Sequence, residues 1–399
     1  MRVVSAPLTL DSAERLLSLV PKNPSVFVRS NQGLVGWGEA KRITAIGPNR
    51  IEVLAKAWRE FCETLEIEDA LQIPGSGPVA FGTIAFADQS NSESVLVMPK
   101  VILGNRDGKA WITSVDGAVL PALETIEPYG SVEFRPGLLG RNEFAELVDS
   151  AVERIKSGEF EKIVLARDLV GDLPEKFDLR MTLQKLEINY PSCWVYSVDG
   201  MFGASPELLV RASHSQVSAR VLAGTAGRGT DPEVDLAISK ALASSHKNLA
   251  EHAFAVNSLV QALEPFCQTV DADQEPFSLQ LPNLWHLASD VHGVLKEEAS
   301  VLDLASALHP TAAVAGTPRQ KALAVISELE PSDRGRYAGP VGWIGADGDG
   351  EWVIALRGAQ ISQDRITAYA GCGVVDESDG QSELAETDLK FQPILKSLS

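Results

Sequence analysis

The chain has 399 residues, 45% of them apolar and 22% charged, with 54 acids against 35 bases and a formal net charge of −19. This balance suits a soluble globular protein, and so acidic a surface repels nucleic acid and anionic membranes, which excludes both as expected partners. Cys62, Cys193, Cys267 and Cys372 form no CxxC pair, which argues against a disulfide framework or a zinc ribbon; with no basic-then-apolar leader and no run of 18 apolar residues, the expected location is the cytoplasm.

In chain order, the first 135 or so residues hold short apolar runs broken by Gly, Pro and Asn. "PSVFVRS", "GLVGWGEA", "GPVAFGTIAFA", "SVLVMPKVIL" and "AWITSV" read as strands, and "RIEVLAKAWREFCETL" among them reads as a helix. From Gly140 the pattern changes. In "RNEFAELVDSAVERIKSGEF" the apolar residues recur at helical spacing, with Asn142 as the expected cap and Gly158 as the stop. The strand "EKIVLARDLV" follows. Further strands are expected in "CWVYSVDGMFGASPELLVRAS" and "QVSARVLAGTAGRG", then one long helical region from about Glu233 to Glu264. "PVGWIGADGDGEWVIALRGAQISQDRITAYAGCGVV" reads as three strands joined by two tight turns, and a last helix covers roughly Ser382 to Ser397. Sequential hairpins with separate helices predict an α+β fold rather than a doubly wound sheet.

Several residues stand out chemically. Lys162 opens "KIVLAR" and shares a strand face with Val164 and Ala166. It is either a solvated charge at a sheet edge or a base, since a dry setting disfavours the ammonium. Arg357 in "EWVIALRGAQI" is expected to share an apolar face with Val353, Ala355 and Ala359. Its fork then needs an anion, either a structural acid or a substrate carboxylate. Glu383, Glu386 and Lys390 lie at i, i+3 and i+7 and share one helix face. Glu251 lies on another helical segment; gathered in a cleft with Glu386 it would suit Mg²⁺, which takes one or two carboxylates. Glu207 follows a Gly-Ala-Ser-Pro bend beside apolar Leu208, Leu209 and Val210, a setting that raises a carboxyl pKa toward that of a general acid. "LAGTAGRG" and "AGCG" are small-residue loops that let backbone N–H groups approach an anion. Neither has the context of a dinucleotide fingerprint, and the chain carries no P-loop. His286 in "LWHLAS" lacks an HExxH partner.

Taken in order, "KIVLAR", "GASPELLV", "LAGTAGRG", "AEH", "LWHLAS", "LHPTAAVAGTP", "ELEP", "GPVGW", "EWVIALR", "YAGCGVV" and "ELAETDLK" resemble the chorismate-utilising enzymes from about Arg141 to Phe391. The resemblance implies a single large α+β domain over 1–399, with large, mostly antiparallel sheets and helices packed outside. Its 1–140 half is divergent, and 141–393 is the chorismate-binding catalytic region. It implies Lys162 as the base that activates water, where ammonia-using members carry glutamine, and Glu207 as the acid that protonates the departing C4 hydroxyl. Glu251 and Glu386, with Glu383 close by, are the implied Mg²⁺ ligands. Arg357 and Lys390, helped by Gly224, Thr225, Ala313 and Gly371, are the implied substrate contacts, with His286 near the ring. The implied activity is isochorismate synthase, feeding menaquinone or siderophore synthesis. Salicylate synthase and a catalytically inactive chorismate-binding protein are the alternatives. The expected substrate is chorismate, with no glutamine amidotransferase subunit and a monomeric state.

Overall fold

The alternating apolar runs become strands and the 3.6-periodic runs become helices, with breaks where a cap or a left-handed residue intervenes. The computed structural model describes residues 1–10, 14–280 and 284–399, without the side chains of residues 225, 247, 251 and 284. The expected side-chain roles of Glu251 and Thr225 therefore lie outside the described residues. The chain divides into two compact units. The first comprises Met1–Glu207, His309–Ala346 and Val353–Ser399; the second comprises Leu208–Leu308 and Asp347–Trp352.

The first unit is built on a large sheet. Phe134–Pro136 lies at one edge, followed by Lys162–Asp172, Arg365–Val374, Gly358–Ser362, Met201–Ser205 and Trp194–Val198. Ser25–Arg29, Gln32–Trp37, Val101–Arg106, Lys109–Val115 and Arg2–Leu8 continue it to Glu66–Asp69. Every pairing along this path is antiparallel except the last, Arg2–Leu8 with Glu66–Asp69. A smaller antiparallel group in the same unit pairs Lys41–Ala45, Ser94–Met98, Val79–Thr83 and Pro340–Gly345. The helix Arg50–Cys62 is anchored to it by Trp58, whose Nε1 donates to the Gly345 carbonyl at 3.0 Å.

One face of the large sheet carries the core. Alternate strand residues, among them Val26, Val28, Phe202, Ala368 and Ala370, meet Leu183 and Leu186 of the helix Leu179–Asn189, and Phe391 and Ile394 of the helix Gly380–Ser397. Each large apolar side chain withdrawn from water in this way contributes roughly 1.5–3 kcal/mol. The second unit pairs Leu208–Ser213 with Gln216–Gly227, and the latter with Leu284–Leu295; that strand also takes Cys267–Ala272 and Phe277–Gln280, all antiparallel. Its helices are Pro232–Ser244, His246–Leu263 and Val301–Leu308. The fold is α+β, as expected.

Four local expectations are corrected. The helix Arg141–Lys156 is capped by Gly140 rather than Asn142: the Glu143 carboxylate accepts from the Gly140 N–H at 2.7 Å, because an extended glycine leaves that N–H free to be reached. Gly158 does follow the helix end, at φ +82°. The run from Glu233 to Glu264 is two helices, broken at Ser245, whose backbone is extended and whose hydroxyl accepts from Asn248 N–H. "SVLVMPKVIL" is two strands, since Pro99 cannot donate to a ladder and the chain passes there from the smaller strand group to the large sheet. Finally, "EWVIALRGAQIS" is two strands, Gly350–Ile354 and Gly358–Ser362, separated at Arg357.

Candidate active site

The strand Lys162–Asp172 brings Lys162, Val164 and Ala166 to the sheet face opposite the helical core. Its neighbour supplies Gly373 opposite Val164 and Gly371 opposite Ala166. The floor of this face is therefore made of small residues. A methyl group on Gly373 would meet Lys162 Cε at 3.2 Å and Nζ at 3.8 Å, so the lysine arm lies over that glycine. Lys162 is partly buried.

Glu207 stands just past the strand Met201–Ser205. Burial pushes its carboxyl above the ordinary range, and the positive charges of Lys162, Lys390 and Arg357, in that order, pull it back. The three cations thus act on one acid, and the acid still retains its proton to higher pH than an exposed glutamate. Its backbone is fixed by Ser205. That hydroxyl donates to the Ile354 carbonyl at 2.6 Å and accepts from the Glu207 N–H at 3.2 Å, while Ile354 N–H donates to the Glu207 carbonyl at 3.1 Å. Sequence reasoning missed Ser205; its place two residues before the acid in "SPE" is the only signal the sequence offers.

Arg357 does not share a strand face with Val353 and Ala359. It sits at the break between two strands at φ +48°, a left-handed backbone that few non-glycine residues adopt. Buried Tyr196 holds the turn, its hydroxyl donating to the Leu356 carbonyl at 3.0 Å, and Ala204 N–H donates to the Arg357 carbonyl at 3.2 Å. Gly203 permits this approach, because a Cβ there would lie 2.6 Å from the Arg357 carbonyl oxygen.

The helix Gly380–Ser397 starts at Asp379, whose carboxylate accepts from Gln381 and Ser382 N–H. Arg167 ties it to the lysine strand. Its buried guanidinium donates to Thr387 Oγ1 at 2.8 Å and to Asp388 at 2.5 Å, and lies over the Phe391 ring. This sets Glu383, Glu386 and Lys390. Glu386 and Lys390 form an ion pair at 2.5 Å, and Lys390 Nζ also donates to the Gly371 carbonyl at 2.8 Å. Glu383 Oε1 accepts from Ser378 at 2.7 Å, whereas its Oε2 is buried without a hydrogen-bond partner. Burial, with the nearby Glu386 charge, raises the Glu383 carboxyl. A buried, unsatisfied carboxylate oxygen beside a second carboxylate fits a hard divalent cation. Among the described residues no group of three or more His, Cys, Asp or Glu is gathered for a metal.

Ala313 lies exposed in the segment before Gly316–Thr317. In the second unit Gly224 sits at φ +79° in a bulge of the strand Gln216–Gly227, and Thr225 stands opposite His286 in the register. His252, next to Glu251 on its helix, pins that bulge. Its Nδ1 donates to the Ala223 carbonyl at 3.0 Å, and its Nε2 is hydrogen-bonded with Ser289 Oγ at 2.9 Å.

An α+β protein with a small-residue sheet face, a proton-retaining acid and three cations around it defines an acid–base site for a small anion. The chain belongs to the chorismate binding enzymes, whose family model matches residues 7–116 and 130–399. A Mycobacterium tuberculosis protein named MenF is 35% identical over 370 residues, spanning 88% of this chain and 94% of that one. The isochorismate synthase MenF of Bacillus subtilis is 29% identical over 383 residues, 88% of this chain and 81% of its own length. The fold matches the structure of MenF, the menaquinone-specific isochorismate synthase of Escherichia coli, with a TM-score of 0.78 at 24% identity over 100% of this chain and 94% of that one.

Proposed function

We propose that the protein is an isochorismate synthase, converting chorismate to isochorismate with Mg²⁺. The observation that carries this reading is the pairing of Lys162, laid over Gly373, with a proton-retaining Glu207 that feels its charge. Relatives named isochorismate synthase support it. In its uncharged amine form Lys162 takes a proton from the water that attacks C2 of the ring. The double bonds shift, the C4 hydroxyl leaves, and Glu207 supplies its proton, so one water is consumed and one released. Such paired acid and base action is worth about 10²–10⁴-fold for each partner. Arg357 and Lys390 hold the two substrate carboxylates; the resemblance to chorismate-utilising enzymes adds Gly224, Thr225, His286, Ala313 and Gly371 as further proposed substrate contacts.

The chorismate-binding enzymes depend on a metal in general. Glu383 and Glu386, with Glu251, would hold Mg²⁺ here. When bound, the ion would supply neutralisation of the ring carboxylate. No helix among the described residues is long and apolar enough to cross a membrane. We infer a cytoplasmic monomer that acts without an amidotransferase subunit and serves menaquinone or siderophore synthesis. The test is purified protein with chorismate and Mg²⁺, with products resolved by chromatography. Isochorismate is the expected product. Salicylate with pyruvate would instead make it a salicylate synthase, and binding without turnover would make it an inactive chorismate-binding protein.

A further inference from the structure

The "ELEP" block has no place in the chemistry above, yet its glutamate reaches the strand that carries the base. Along its inner edge, the strand is paired with Arg365–Val374 from Ile163 to Asp172. Its outer edge is discontinuous. Gly316–Thr317 pairs only with Lys162 and Ile163, Val164 N–H donates to the Ala315 carbonyl, and Phe134–Pro136 pairs only with Leu169 to Gly171. Between these stretches the Val164 carbonyl and the Ala166 N–H have no strand beside them among the described residues. A buried backbone group left without a partner is costly.

Two side chains fill the gap. Glu330 Oε1 accepts from Ala166 N–H at 2.8 Å, and Arg334 Nη2 donates to the Val164 carbonyl at 2.6 Å. The two are an ion pair, with side chains only 5% and 4% exposed. They bond to each other twice: Arg334 Nε to Glu330 Oε2 at 2.8 Å, and Nη2 to Oε1 at 2.5 Å. Arg334 Nη1 also donates to the Val314 carbonyl at 2.9 Å, one residue beyond Ala313, and the guanidinium sits 4.4 Å from the Phe86 ring centroid. One pair therefore grips the lysine strand two and four residues past Lys162 and the Ala313 segment at once. The fixed fork of the guanidinium is what lets one side chain reach both carbonyls and the carboxylate.

We propose that Glu330 and Arg334 are positioning residues, standing in for a missing strand so that Lys162 is held in fixed register with the Ala313 segment. This rests on the reading of Lys162 as the base. Arg334→Lys keeps the charge but cannot span both carbonyls. It is expected to lower kcat for isochorismate formation by about 10- to 100-fold, the range that an ångström-scale misplacement costs, with a smaller change in KM. Glu330→Ala is expected to speed hydrogen exchange at the Ala166 amide while the amides facing Arg365–Val374 stay protected. Glu330→Gln, which keeps an acceptor for Ala166, is expected to restore that protection and part of the kcat. If Glu330→Ala does not fold, Arg334→Lys and Glu330→Gln still carry the kinetic comparison. Wild-type kcat in Arg334→Lys, or unchanged Ala166 exchange in a folded Glu330→Ala, would overturn the proposal. A wild-type protein that makes no isochorismate would sink the functional reading instead, and the Ala166 exchange would still report on the clamp.

Discussion

The strand pair under Lys162 and the helix Gly380–Ser397 present charge in opposite ways. On the strands, the position of the lysine follows from backbone register and from what is missing: Gly373, with no side chain, leaves room for the lysine arm above it. On the helix, the charges are set by one-turn spacing: Lys390 and Glu386 neutralise each other, while Glu383 accepts from Ser378 ahead of the helix. A group placed by register is held before the substrate arrives, as general-base action requires. Groups that neutralise one another in the free protein are available to ligands only when those pairs are exchanged. The strand side should therefore govern the chemical step, and the helix side the binding of ions and carboxylates.

The sharpest break in that contrast is Lys162→Ala. We expect kcat to fall by about 10²–10⁴-fold, as loss of a general base does, with chorismate and Mg²⁺ still bound in calorimetry. Retained turnover would reassign the base. Glu207→Gln is expected to cost a similar factor and to change two pH profiles. The acid acts protonated, and burial raises its carboxyl, so wild-type kcat/KM falls as pH climbs through that raised value; the variant loses this limb. The stability sign is the reverse of a salt-bridged acid. A carboxyl raised in the folded state contributes stability at pH below its unfolded value, and that contribution is lost as pH rises through the folded value. Glu207→Gln should thus melt no lower than wild type at neutral pH, measured by calorimetry. On the helix, Glu383→Gln and Glu386→Ala should weaken Mg²⁺ binding by at least the roughly 10–100-fold that loss of an outer-shell partner costs. Unchanged Mg²⁺ titrations in both would remove the helix from the metal site.

The same contrast marks what was legible in the sequence. Lys162 could be placed because strand alternation is local: Val164 and Ala166 share its face in the sequence and in the sheet. The helix face of Glu383, Glu386 and Lys390 was equally plain, since spacing alone brings the last two together. Arg357 was not. "WVIALRGAQI" reads as one apolar run, and its left-handed turn is held by Tyr196 and Gly203, some 160 residues away in the chain. Ser245 was hidden for a related reason, because good helix formers flank it on both sides and only its own extended backbone divides the two helices. The Glu330–Arg334 clamp was out of reach, as nothing local shows that a strand edge elsewhere is short of partners.

The smallest expected effect tests the contrast at single-atom scale. Alanine at Gly373 would bring a methyl within 3.2 Å of Lys162 Cε, a contact that the flexible arm can relieve by shifting a few tenths of an ångström. Alanine at Gly371 would instead meet the Leu165 carbonyl at 2.8 Å, and a backbone oxygen paired in a sheet cannot move so cheaply. The two variants should therefore separate. Gly373→Ala should keep its melting temperature and chorismate affinity but lose up to about tenfold in kcat, because only the ammonium is displaced. Gly371→Ala should lose stability first, by roughly 1–3 kcal/mol as overpacking does, read by denaturant unfolding. If Gly373→Ala were as unstable as Gly371→Ala, or fully active, the lysine would not be positioned by the space above that glycine. The strand side would then depend, like the helix, on its charged partners.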